Sequence, residues 1–201
     1  MIKTIIPIVL LFTVPTNGTG EKQKPRRLQK IKVEEFTSTE KYQIMAWTIK
    51  KFEGYSGNSY VCPAGVRTTG WGFTDVKSVK NVRHADEIFK DELNQRWEIV
   101  NDRFPKMDYL QKAAVVSLLY NVGDINKIQK SSFVKALRRG NHELAVKRLQ
   151  KWNKIRKGGK LIELDGLTNR RKFESKLITG NFTREDYNSL KEDVEQHYKR
   201  K

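Results

Sequence analysis

The chain has 201 residues, 37% hydrophobic and 10% aromatic, which suits one domain with a sizeable core and excludes long disorder away from the ends. Lys and Arg number 40 against 23 Asp and Glu, so 40 − 23 = +17; unless that charge serves solubility alone, the partner is polyanionic: nucleic acid, an anionic membrane surface, or a wall rich in carboxylates and acidic polymers. The lone cysteine, Cys62, excludes an intrachain disulfide, and with it a disulfide switch within the chain.

Residues 1–20 (MIKTIIPIVLLFTVPTNGTG) carry Lys3, an apolar run from Ile5 to Val14 and a small polar exit. This is the pattern of a signal peptide, cleaved near Gly20, and the run is too short to span a bilayer. A retained anchor or a buried N-terminal segment are the alternatives; no cysteine follows the run, so a lipoprotein anchor is excluded. Residues 21–36 are basic, contain Pro25 and lack periodicity, as expected of a linker. Its cluster of Lys22, Lys24, Arg26, Arg27, Lys30 and Lys32 is either a hold on an anionic surface or a solvated leader. The folded domain is expected over residues 37–201.

That domain opens on a predicted helix, Thr37 to Phe52, with Ile44, Met45, Thr48, Ile49 and Phe52 on one face. Thr37 and Glu40 have capping-box spacing, and Gly54 is placed to end the helix. Glu53 therefore sits at the helix C-terminus, where the negative end of the dipole favours a protonated carboxyl. The following stretch, Tyr60-Val61 and then Thr68 to Thr74, predicts a short hairpin. Strand alternation puts Thr68, Gly70, Gly72 and Thr74 on one face and Thr69, Trp71 and Phe73 on the other.

A helix is expected from Ala85 to Arg103, bounded by Pro105. Asp108 to Tyr120 is the most apolar run after the leader and predicts a central buried helix, closed by Asn121-Val122-Gly123. Ser131 or Ser132 starts a short helix that ends at Arg139-Gly140; Asn141 caps the next, reaching Lys154 with Leu144, Ala145, Leu149 and Trp152 inward. Lys157-Gly158-Gly159-Lys160 is a loop. Helices over Leu167–Ile178 and from Thr183 onward complete an α+β, mostly helical fold: a first helix and small hairpin lobe, a larger helical lobe, and a cleft between them.

Glu53, eight residues, Cys62, five residues and Thr68 resemble the Glu-x8-(Asp or Cys)-x5-Thr signature of the phage-type lysozymes, glycoside hydrolase family 24. TTGWGFT (Thr68–Thr74) is similar to that family's TIGYGHT, and LLYNVG (Leu118–Gly123) to its FNVG helix end. WNKIRKGGKLIELDGLTNRRKFE (Trp152–Glu174) is similar to W-x-x-AGG-x-x-x-x-GL-x-x-RR-x-x-E, with a few extra residues before Gly166. The resemblance covers about Thr37 to Gly180. It departs at Phe73, where the family commonly has histidine, an exchange expected to cost a polar contact rather than activity.

The resemblance implies a lysozyme-like fold and an exported muramidase that cleaves the β-1,4 bond between N-acetylmuramic acid and N-acetylglucosamine. It implies no cofactor and no metal. Such cleavage needs an acid for the departing oxygen and a group to attack or stabilise the oxocarbenium-like centre. Glu53 suits the first role, although many helix-end glutamates are ordinary surface residues. Cys62 occupies the second position, which is aspartate in most relatives; whether it is base, nucleophile, polarisable neighbour or simply a small core residue stays open. Arg67 is a candidate for lowering its thiol pKa. Thr68 offers a hydroxyl to hold the water, and Arg170 matches a family arginine that ion-pairs the catalytic glutamate. Tyr60, Gly70 and Gly72 are the candidate glycan contacts; Trp71 is either a stacking platform or core.

The expected partners are peptidoglycan glycan strands and the anionic wall surface, with no nucleic acid, no stable membrane span and a monomeric state. His84, His142 and His197 are scattered and form no H-E-x-x-H pattern, which argues against a zinc amidase. No nucleic-acid-binding pattern accompanies the positive charge. A catalytically weak wall-binding protein on the same fold is the alternative, raised by the cysteine at the aspartate position.

Overall fold

The computed structural model describes residues 35–63 and 65–199. The expected signal peptide, and the expected linker up to residue 34, lie outside the described residues. Phe36, the last residue of the expected linker, is buried against the rings of Phe182 and Tyr187.

Helix α1 (Ser38–Glu53) begins on the capping box: Glu40 N donates to Thr37 Oγ1 at 3.2 Å, and Thr37 N donates to Glu40 Oε2 at 2.8 Å. Four of the five residues expected on its apolar face, Ile44, Met45, Thr48 and Ile49, are buried, and Ala46 and Lys50 are buried with them. Strands β1 (Ser56–Val61) and β2 (Arg67–Gly70) form the antiparallel hairpin, with Tyr60 opposite Thr68 and Val61 opposite Arg67. The second strand stops at Gly70 rather than running to Thr74. Gly70 and Gly72 both take positive φ, 59° and 93°, and the chain doubles back so that Thr69 bridges Phe73. The strand pattern beyond Gly70 is thereby lost, yet Thr69, Trp71 and Phe73, the three residues expected on one face, are all buried.

Helix α2 (Val82–Arg103) starts three residues earlier than expected, because the Asn81 side chain caps it by accepting from His84 N. Helix α3 (Tyr109–Val122) is apolar nearly all round, as a helix surrounded by others must be. It touches α1, α2 and α7 (Asp165–Thr179). A left-handed Gly123 closes it, as the Asn-Val-Gly ending predicts. Three short helices follow: α4 (Ile125–Lys130), α5 (Ser132–Arg138) and α6 (His142–Leu149), capped by Asp124, Ser131 and Asn141. The expected continuation of α6 to Lys154 tightens instead into a 3₁₀ turn (Gln150–Trp152). Beyond it, β3 (Lys154–Lys157) and β4 (Lys160–Glu163) pair around Gly158-Gly159, a hairpin where the sequence suggested only a loop. Helix α8 (Arg184–Lys199) returns to α1 and packs along it. The result is the expected mostly helical α+β fold with small antiparallel sheets.

Candidate active site

Glu53 is the last residue of α1, and Gly54 N closes the helix by donating to Lys50 O at 2.9 Å. The Glu53 side chain is one-fifth exposed. Its Oε1 accepts from Arg170 Nη1 at 2.6 Å. On its other side lies Gly72: a Cβ built there would stand 2.7 Å from Glu53 Oε2 and 3.0 Å from Cδ. Only a glycine can therefore occupy position 72 while the carboxyl stays where it is. The Tyr120 hydroxyl donates to the Trp71 carbonyl at 2.9 Å and pins the residue before this glycine.

Arg170 reaches Glu53 from α7 and is buried. Its Nη2 donates to the Ser117 carbonyl at 2.9 Å and its Nε to Ser117 Oγ at 3.2 Å. Ser117 Oγ in turn donates to Glu174 Oε1 at 2.7 Å, and Arg171 Nη2 donates to the same oxygen at 2.9 Å. Two guanidiniums thus face two carboxylates, Glu53 and Glu174, with a serine at the crossing point. Every Arg170 nitrogen donates, whereas Arg171 Nη1 has no hydrogen-bond partner among the described residues and Arg171 Nε is held by its 2.9 Å ion pair with Glu174 Oε2; what carries the cluster through burial is the pairing of each guanidinium with a carboxyl. Burial pulls Arg171 below the usual guanidinium range; Glu174 opposes that shift and the neighbouring Arg170 adds to it.

A pocket of about 310 Å³ opens beside the carboxyl, lined by Glu53, Gly54, Tyr55, Ser56, Tyr60 and His197. Tyr60 is half-exposed in its wall. Partial burial pushes its phenol above the ordinary value, and the electrostatic influence of Glu53 and then Cys62 pushes the same way. Across the hairpin from Tyr60 stands Thr68, buried, with Oγ1 donating to the Val66 carbonyl at 3.1 Å. Cys62 follows the end of β1, where its carbonyl accepts from Gly65 N at 2.8 Å and its N–H donates to Val66 O at 2.9 Å. Arg67 Nη1 donates to Ser59 Oγ at 3.3 Å.

Glu53 and Tyr60 therefore share one pocket, and Arg170 and Gly72 hold Glu53 in it. Cys62 and Thr68 sit on the same hairpin but outside the lining of that pocket. Gly70 faces the core rather than the pocket: a Cβ there would fall 2.4 Å from the Phe73 ring. Trp71 is fully buried and is core, not a platform.

The family model described as phage lysozyme matches residues 50–174. The chain belongs to the phage lysozyme family. It is a glycosidase, a peptidoglycan-hydrolysing lysozyme. Among curated relatives, it is 29% identical over 134 residues to an endolysin of Acyrthosiphon pisum secondary endosymbiont phage 1, covering 65% of this chain and 91% of that one. It is 31% identical over 147 residues to the SAR-endolysin of Haemophilus phage HP1, covering 66% and 77%. Among solved structures, the endolysin of Escherichia coli O157:H7 phage FAHEc1 superposes with a TM-score of 0.58 at 27% identity, covering 74% of this chain and 96% of that one. The muramidase domain of SpmX from Asticaccaulis excentricus gives 0.58 at 24%, covering 67% and 93%, a likeness of fold.

Several residues of this lysozyme's site escaped sequence reasoning. Ser117 was detectable as the one serine inside the apolar run of α3, and Glu174, matched as the last residue of the family motif, had no role assigned although it lies one helical turn beyond Arg170. His197 gave no signal: it lies far along the chain and beyond the matched residues 50–174.

Proposed function

We propose that this lysozyme cleaves the β-1,4 bond between N-acetylmuramic acid and N-acetylglucosamine, with Glu53 as the acid that protonates the departing oxygen. The observation that carries this is the double restraint on Glu53: Arg170 at 2.6 Å on one oxygen and the bare α-carbon of Gly72 against the other. A carboxyl so fixed at the edge of an open pocket needs no reorganisation when the substrate arrives. Glu53 gives its proton to the glycosidic oxygen as the C–O bond breaks. A water supplies the new C–O bond at the sugar carbon, and its proton passes to a base. Tyr60 is the first candidate glycan contact. For the second role we take the base reading: Thr68, on the hairpin beside the pocket, holds the water, and Cys62, as the thiolate, receives that proton and becomes the thiol. Gly70 and Gly72 serve the glycan indirectly, by letting the hairpin turn close on Phe73 and Glu53.

The apolar run of residues 1–20, with Lys3 before it, supports export to the wall, where endolysins act. The +17 charge supports retention on that anionic surface. The enzyme is expected to work as a monomer.

The test is digestion of purified walls followed by reduction of the new sugar ends. Reduced muramic acid is the expected label. Reduced glucosamine alone overturns the bond assignment, and tight wall binding without any new ends favours the wall-binding alternative.

A further inference from the structure

We infer that His197, brought in by the C-terminal helix, is a glycan-contacting residue of the Glu53 pocket. The inference rests on the lysozyme reading above and extends the site beyond the family-matched residues 50–174.

Helix α8 is clamped to α1 along its length. Arg184 pairs with Glu40, the Tyr187 hydroxyl donates to Gln43, and Asp193 pairs with Lys51. The last turn is held as firmly as the first. Val194 is buried, and the Tyr198 hydroxyl accepts from Lys50 Nζ at 2.7 Å while donating to Asp86 Oδ2 at 3.1 Å. Asp86 also accepts from Trp71 Nε1 at 2.7 Å, so the anchor of the last turn is tied to the residue preceding Gly72. His197 lies between Val194 and this anchor. Its imidazole stands edge-on to Trp71, with centroids 5.7 Å apart at 89°. Its Cε1 comes within 3.9 Å of where a Gly54 side chain would begin, beside the residue that follows the proposed acid. It is half-buried, and it lines the same pocket as Glu53 and Tyr60.

A glycan presents hydroxyls and N-acetyl carbonyls. An imidazole offers an N–H donor in either neutral tautomer, together with a flat apolar edge. Packing on Trp71 fixes the plane of the ring, so a donor at this position is aimed before substrate binds. Tyr60 on the hairpin and His197 on α8 then grip the sugar from two separate elements. This gives the C-terminal helix a role in substrate recognition as well as in the core.

The experiment compares the full chain with His197→Ala, His197→Gln and, as a control on the same turn, the exposed Gln196→Ala. Soluble uncrosslinked glycan strands serve as substrate, and release of reducing ends is followed. Loss of one neutral hydrogen bond predicts that His197→Ala raises KM by about five- to tenfold with kcat within about twofold. Gln, which keeps an N–H donor, recovers most of the loss, and Gln196→Ala matches the parent. A parental KM in His197→Ala overturns the inference, as does a loss confined to kcat. Failure of Gln to recover the KM also overturns it, because packing on Trp71 would then be the whole role. If the parent releases no reducing ends, the lysozyme reading fails and this inference with it; if the parent is active and His197→Ala equals it, this inference alone fails.

Discussion

Gly72→Ala separates the positioning of the acid from the stability of the fold. The new Cβ would lie 2.7 Å from Glu53 Oε2 and 3.2 Å from Cγ, where ordinary contact begins near 3.4 Å. The carboxyl must therefore retreat by about 0.7 Å, or the turn must open. The carboxyl is also tied to Arg170 at 2.6 Å, and Arg170 is itself fixed by Ser117, so retreat means leaving a set geometry. A displacement approaching 1 Å in a catalytic group costs on the order of 10- to 100-fold in rate. The φ of 93° adds backbone strain for a residue with a Cβ, about 1–3 kcal/mol, or a fall in Tm of roughly 3–10 °C in a chain of this size. Initial rates of reducing-end release, measured well below Tm, read the first effect; calorimetry reads the second. Gly70→Ala is the control, because its clash is with the Phe73 ring at 2.4 Å and not with Glu53. It is expected to lower Tm while retaining a larger share of the rate. If Gly72→Ala lowers Tm as expected yet keeps the parental rate, the contact does not position the acid and the reasoning is refuted.

Arg170→Met removes one of two cations from the buried cluster and leaves Glu53 and Glu174 undercompensated; the expected loss is about 3–5 kcal/mol, a Tm drop of roughly 10 °C, and a drop below about 2 °C would contradict it. Arg170→Lys is expected to restore little, because a single ammonium cannot span Glu53, the Ser117 carbonyl and Ser117 Oγ together. Burial raises the phenols of Tyr109, Tyr120 and Tyr198 in the folded chain. Their stability contribution is complete below the unfolded value of about 10 and is lost as pH rises through the folded values. Lys50, lowered by burial, acts in the opposite sense but as one group against six, since Tyr42, Tyr60 and Tyr187 are raised as well. Tm measured from pH 8 to 12 should therefore fall above about pH 10, and a flat profile there would count against the assignment. Among Cys62→Asp, Cys62→Ala and Cys62→Ser, Asp is expected to retain wall lysis best and Ala worst across pH; full activity in Ala would remove Cys62 from the chemistry.

Much of this was legible because the signals were local. Thr37 and Glu40 announced the start of α1, Gly54 its end, and Asn-Val-Gly the end of α3, since caps depend on a few adjacent residues. Arg170 was legible only through the family motif: nothing local says that a residue of α7 will reach the end of α1. The missed pieces have physical reasons. The second strand was read on to Thr74 because alternation continued, but positive φ at Gly70 and Gly72 turned the chain back at Thr69. Of the β3–β4 hairpin the sequence shows only the turn, Lys157 to Lys160, because Leu161 and Ile162 are exposed and burial leaves no pattern in the strands. Asp124 capping α4 was hidden in a polar stretch. His197 depends on how α8 docks along α1, which is set by long-range pairs such as Tyr198 with Lys50 and Asp86 that no periodicity encodes.

The most direct test of the central claim is Glu53→Gln, which keeps the size and the helix end but has no acid proton to give. The parent chain should clear purified walls and release reducing sugar ends, while Glu53→Gln, folded and still adsorbed to those walls, should release none above background. Parental release by Glu53→Gln would contradict the account at its root.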